Sequence, residues 1–136
     1  MGATTIEYRM LAGTRAAVGT SGAHAVIADR PEGKSGGLGL GFNGGELLAL
    51  AIGGCFCNDL QAIAAEMGVT ITDLRVSVTI AFAGQPSRAT DARMDVDCTL
   101  ADGADPAELI ECAKAVTTIG NSIRAGVPLD IERRPS

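Results

Sequence analysis

Two stretches in the second half of the chain alternate strictly between apolar and polar positions. In "DLRVSVTIAF" (73–82), Leu74, Val76, Val78, Ile80 and Phe82 share one face, and Arg75, Ser77 and Thr79 share the other. That period of two predicts a half-buried strand. "ARMDVDCTL" (92–100) repeats the pattern with Met94, Val96, Cys98 and Leu100 inward, and "GQPS" between the two reads as the turn of a hairpin. Near the N-terminus the alternation is looser. "TTIEYRML", "AAVGT" and "AHAVIAD" read as three short strands, with "AGTR" and Ser21-Gly22 as the turns between them.

A different period governs the middle of the chain. From about Glu46 to Met67 the apolar residues, Leu47, Leu48, Leu50, Ile52, Phe56, Leu60 and Ile63 among them, cover nearly the whole circumference of a helix. An all-round apolar helix is a buried one. Asn43 is its expected cap, Glu46 places a negative charge in the first turn, and Gly68 ends it. Before it, "RPEGKSGGLGLGFNGG" (30–45) is a glycine-rich loop that lacks the residue order of a phosphate-binding loop. After the hairpin, Asp105-Pro106 opens a helix whose apolar positions are Leu109, Ile110, Ala113 and Val116. A short helix follows over Gly120–Arg124, and "VPLDIE" (127–132) reads as a closing strand.

The order βββ, long helix, ββ, one or two helices, β segregates strands from helices, which makes the fold class α+β. At 136 residues the expectation is a single domain over 1–136. So short a chain can hardly wrap a helix of that length by itself. The pattern therefore predicts an intertwined homodimer in which two such helices pack together.

Composition narrows the function. The formal charge of −5 disfavours nucleic acid and anionic membranes as partners. No uninterrupted apolar run reaches the ~20 residues of a membrane span, and the N-terminus lacks a charged-then-apolar export pattern, so the expected location is cytoplasmic. With no Trp, three Phe and one Tyr, the core must be aliphatic. No cofactor is expected. Neither is a metal, since the cysteine spacing fits no zinc motif and His24 is the only histidine.

Four cysteines remain. Cys57, Cys98 and Cys112 read as small hydrophobes used for packing. Cys55 differs because Gly53 and Gly54 precede it inside a helix, where each costs about 1 kcal/mol relative to Ala. Such glycines serve close backbone approach or access to the thiol, and on these residues alone both readings stand. A free thiol, with a reference pKa of about 8.5, is only slightly ionised at neutral pH. A reactive Cys55 therefore needs a cation, and Arg15, Arg30 and Arg124 are the candidates, with Glu46 able to orient one of them.

"NGGELLALAIGGCFCNDLQAIAAEMGV" resembles the central helix of the OsmC/Ohr family, whose signature runs N-P-x-E-L-L-x-A-A-x-x-S/A-C, and "NSIRAGVPLDIE" resembles its closing segment. The resemblance implies an intertwined α+β homodimer and thiol-dependent reduction of organic hydroperoxides, an oxidative-stress defence. An external thiol or dithiol would be the reductant, and the substrate a small organic hydroperoxide. Cys55 matches the reactive cysteine and Arg15 the early arginine that polarises it across the dimer. The family's acidic residue commonly stands ten positions before the cysteine. Gly45 occupies that place here, and Glu46 stands nine before. Laying the family's C-P-x-S-x-x-L-x-x-G tail onto "TTIGNSIRAG" puts Thr117 at the resolving position, while Cys112 lies five residues earlier and about 140° round the helix. Cys112 could resolve the oxidised Cys55 only if that helix is displaced. These departures leave a one-cysteine cycle, resolution by Cys57 after local unwinding at Gly53 and Gly54, a binding protein that holds a small apolar ligand without efficient turnover, or a structural dimer with Cys55 in its core.

Overall fold

The computed structural model describes residues 2–135. Its elements run β1 (Glu7–Met10), β2 (Ala17–Ser21), β3 (His24–Ala28), α1 (Gly44–Met67), β4 (Ile71–Ala83), β5 (Arg88–Leu100), α2 (Ala107–Val116) and α3 (Thr118–Ala125). The class is α+β. The chain forms two compact units, one up to Ala49 and one from Leu50 onward.

In the first unit, β1, β2 and β3 form an antiparallel meander, with Tyr8 opposite Gly19 and Val18 opposite Ile27. The glycine-rich loop is an ordered structure. Buried Asp29 accepts hydrogen bonds from the backbone N–H groups of Arg30 (2.8 Å), Leu38 (3.1 Å) and Leu40 (3.1 Å), which folds the loop back around one carboxylate. Phe42 then runs beside β3, its N–H on the Ile27 carbonyl. Gly41 has to be glycine there, because a Cβ would collide with that carbonyl.

α1 begins with a reciprocal cap. The Asn43 side chain accepts from Glu46 N–H at 2.9 Å, and Glu46 Oε1 accepts from Asn43 N–H at 3.0 Å. Gly68, in the left-handed conformation, ends the helix, and Val69 N–H returns to the Ala64 carbonyl. In the second unit, β4 and β5 pair as the expected hairpin, Val76 opposite Val96 and Leu74 opposite Cys98. Phe56, Leu60 and Ala64 of α1 join Cys98 and Leu100 of β5 and Leu109 and Ala113 of α2 in one core.

Four expectations need correction. The burial of α1 is one-sided: Ile52, Phe56, Leu60 and Ala64 form one stripe at spacing four, and Leu50 stays half exposed. A two-stranded sheet and a ten-residue helix can cover only one side of it. α1 is also long and apolar enough to cross a membrane by length and composition, although no uninterrupted run is. An average tolerates polar residues such as Asn58 and Asp59, and here the apolar stripe packs into the protein core. Phe82 is 50% exposed because it lies at the turn end of the hairpin, beyond the core, where its partner Ala89 and the flanking residues Ala81, Ala83 and Arg88 are exposed as well. Finally, 127–132 is not a strand. Its alternating Val127, Leu129 and Ile131 are 66%, 79% and 88% exposed, because no strand edge among the described residues pairs with it.

Candidate functional site

The two glycines before Cys55 do different things. A Cβ on Gly53 would stand 3.0 Å from Val78 Cγ2 and 3.7 Å from Val76 Cγ1, so this glycine lets α1 lie close on β4. Nothing lies within 4 Å of the corresponding position on Gly54, which leaves open space beside the half-buried Cys55. Close approach and access are both present, on adjacent residues.

Two oxygen groups reach the sulfur. The Cys55 thiol donates to Asp59 Oδ2 at 3.7 Å, one helical turn further along α1. Thr117 Oγ1 donates to Cys55 Sγ at 3.8 Å. Both distances are ordinary for hydrogen bonds to sulfur, whose radius exceeds that of oxygen. Thr117 is only 4% exposed. It sits at the break between α2 and α3, with extended backbone angles (φ −62°, ψ 111°). Its N–H bonds the Ala113 carbonyl and its own carbonyl accepts from Asn121, so both helices hold it in place. Residue 117, where the resemblance lays the family's resolving position, is one of the two residues whose side chains reach Cys55.

Thr117 also lines a cavity of about 450 Å³ with Ile52, Phe56, Val78, Met94 and Ile123. Three cations border it. Arg93 pairs with Asp95 at 2.9 Å and Lys114 with Glu111 at 3.0 Å, while Arg124 bonds the Asn121 amide oxygen at 2.8 Å. The cavity thus has a largely apolar lining, and of its three cations only Arg124 has no carboxylate partner among the described residues.

The other candidates lie elsewhere. Cys112 is exposed on α2 and makes no bond to Cys55 among the described residues. Cys57 is half-buried. Cys98 is buried, and burial, followed by the nearby charges of Asp97 and Asp73, pushes its thiol pKa up. Arg15 belongs to the first unit, where its side chain lies across Gly36, at which a Cβ would meet the arginine Cδ at 2.5 Å. With Arg30 and Lys34 it lines a second cavity of about 590 Å³ that reaches Asn43 and Gly44 at the start of α1. The Glu46 carboxylate is engaged by the cap of α1 and makes no ion pair among the described residues.

Sequence reasoning missed two residues. Asp59 carried a signal, since it stands at i+4 from Cys55 and so on the same helix face. Asp29 carried a weaker one, a single carboxylate directly before the glycine-rich segment. Its three N–H partners, that of Leu40 foremost, hold its pKa below the ordinary carboxylate value of 3.8.

Comparison with known proteins decides the family. The OsmC-like protein profile matches residues 35–132. The chain belongs to the OsmC-like protein family. An OsmC-like protein of unknown function from Vibrio cholerae superposes with a TM-score of 0.76 at 12% identity, over 90% of this chain and 94% of that one. An OsmC-like protein from Mycoplasma pneumoniae gives 0.76 at 14% identity, over 92% and 89%. An organic hydroperoxide resistance protein, OsmC, from Legionella pneumophila gives 0.63 at 19% identity, over 91% and 92%. At these identities the likeness establishes the OsmC-like fold. No protein of curated function matches the sequence.

Proposed function

We propose that this OsmC-like protein reduces organic hydroperoxides through Cys55 in a one-cysteine cycle. The observation that carries the reading is the contact between Thr117 Oγ1 and Cys55 Sγ at 3.8 Å. The half-buried Cys55 thiol has a hydroxyl, not a second thiol, at residue 117. The name of the Legionella relative supports the substrate class.

In the cycle the Cys55 sulfur attacks the hydroperoxide O–O bond, the alcohol departs, and Cys55 becomes a sulfenic acid. Thr117 cannot form a disulfide. An external thiol attacks the sulfenic sulfur, releasing water and leaving a mixed disulfide, and a second external thiol, or the other arm of a dithiol, restores Cys55.

The functional unit in this proposal is a homodimer. The half-exposed Leu50 on α1 and the exposed alternating tail at Val127, Leu129 and Ile131 are apolar surface that one chain leaves uncovered. A second copy would cover it and bring its Arg15 to Cys55. The cation would then favour the negative charge left on the sulfur as its proton departs. Consumption of cumene hydroperoxide by the reduced protein with dithiothreitol tests the reading: turnover by the wild type and none by Cys55→Ser is the expected result, and turnover by Cys55→Ser refutes it.

A second reading rests on the cavity beside Thr117. Its apolar walls could hold a small ligand without chemistry. Under that reading the wild type leaves cumene hydroperoxide intact.

A further inference from the structure

Cys55 is held by two oxygen groups with opposite roles. Its S–H donates to the Asp59 carboxylate at 3.7 Å, and its sulfur accepts from the Thr117 hydroxyl at 3.8 Å. Asp59 is fixed one turn along the same helix, is partly buried, and makes no ion pair among the described residues. Thr117 is buried and anchored by two helices. The Cys55 hydrogen bond is made to a carboxylate, not to a guanidinium. What a carboxylate can do that a guanidinium cannot is take a proton and give it back.

We propose, resting on the hydroperoxide-reductase reading above, that Asp59 is the proton carrier of this site. As the sulfur attacks the terminal oxygen of ROOH, the Asp59 carboxylate takes the S–H proton. The S–O bond forms, the O–O bond breaks, and protonated Asp59 passes that proton to the departing alkoxide, which leaves as ROH. The hydroperoxide's own proton stays on the new S–OH group. Sulfur loses two electrons, the peroxide oxygens gain them, and Asp59 ends as it began. The Thr117 O–H stays on the sulfur and shares the negative charge left there as the proton departs, before that charge passes to the leaving oxygen. The carboxylate also repels anionic substrates from the sulfur, so the site favours hydroperoxides that are neutral near the O–O bond.

Two electrophiles separate this role from a structural one. Alkoxide leaves with a proton, whereas iodide leaves iodoacetamide without one. The reaction of Cys55 with each is followed by mass spectrometry of its peptide in the wild type, Asp59→Asn and Asp59→Glu. The expected result is that Asp59→Asn slows oxidation by cumene hydroperoxide about a hundredfold more than it slows alkylation, which needs the S–H proton removed but none delivered. Asp59→Glu recovers part of the peroxide rate. An Asp59→Asn protein that keeps its peroxide rate overturns the proposal. So does one in which both reactions slow by the same factor, as misfolding or a moved sulfur would cause. A wild type alkylated at Cys55 but inert to cumene hydroperoxide removes the hydroperoxide-reductase reading itself.

Discussion

Thr117 Oγ1 stands 3.8 Å from Cys55 Sγ, across sixty-two positions of sequence. The contact exists because the chain breaks its helix at residue 117 and points a buried side chain at α1. A thiol in that place would be within reach of a disulfide with small movements of both side chains, since the bond needs sulfurs about 2.0 Å apart. Thr117→Cys is therefore expected to change the stoichiometry of oxidation. After cumene hydroperoxide, the wild type loses one thiol per chain and the variant loses two. Peptide mapping should find the second in a disulfide between Cys55 and the introduced thiol.

Cys112 and Cys98 differ from Cys55 in surroundings, and their chemistry should follow. Cys112 is exposed, with no contact to the site, so Cys112→Ala leaves the rate of peroxide consumption unchanged. Cys98 is buried and its thiol pKa is pushed up, so iodoacetamide should modify it only as the protein unfolds, at a rate that tracks denaturant concentration.

Gly53 and Gly54 should respond in opposite directions to alanine. Replacing either gains about 1 kcal/mol of helix propensity. At Gly53 the new methyl meets Val78 Cγ2 at 3.0 Å, and overpacking of about 1–3 kcal/mol reverses that gain. Gly54→Ala enters open space and should raise the urea midpoint at unchanged slope.

Asp29 gives the glycine-rich loop a pH dependence. Its folded pKa is depressed by the three N–H donors, so its contribution to stability is fully present above the ordinary value of 3.8. That contribution is lost as pH falls through the lower folded value, where the unfolded state binds the proton more readily. Asp29→Asn should remove this acid-sensitive component and speed amide exchange at Leu38 and Leu40, whose N–H groups bond the carboxylate.

The sequence was most legible where the pattern and its physical cause lie in the same chain. The alternation of Leu74 to Ile80 and of Met94 to Leu100 predicted a hairpin because each face packs against, or is exposed by, neighbours in this chain. It failed where no covering surface lies among the described residues. The tail 127–132 alternates like a strand but has no edge to pair with among the described residues, and Leu50 belongs to an apolar helix face left half uncovered. At the site, the family's spacing put residue 117 at the position facing Cys55. Asp59 went unnoticed because a lone aspartate in a helix reads as a solvated charge until its distance to the sulfur is known.

The central claim is that the Cys55 sulfur is the atom that meets the hydroperoxide. Trapping with dimedone during oxidation by one equivalent of cumene hydroperoxide, then locating the adduct by tandem mass spectrometry, tests it most directly. The expected adduct is on Cys55, in stoichiometric yield, with Cys57, Cys98 and Cys112 still reduced. An unmodified Cys55, or an adduct on another cysteine, would contradict the claim.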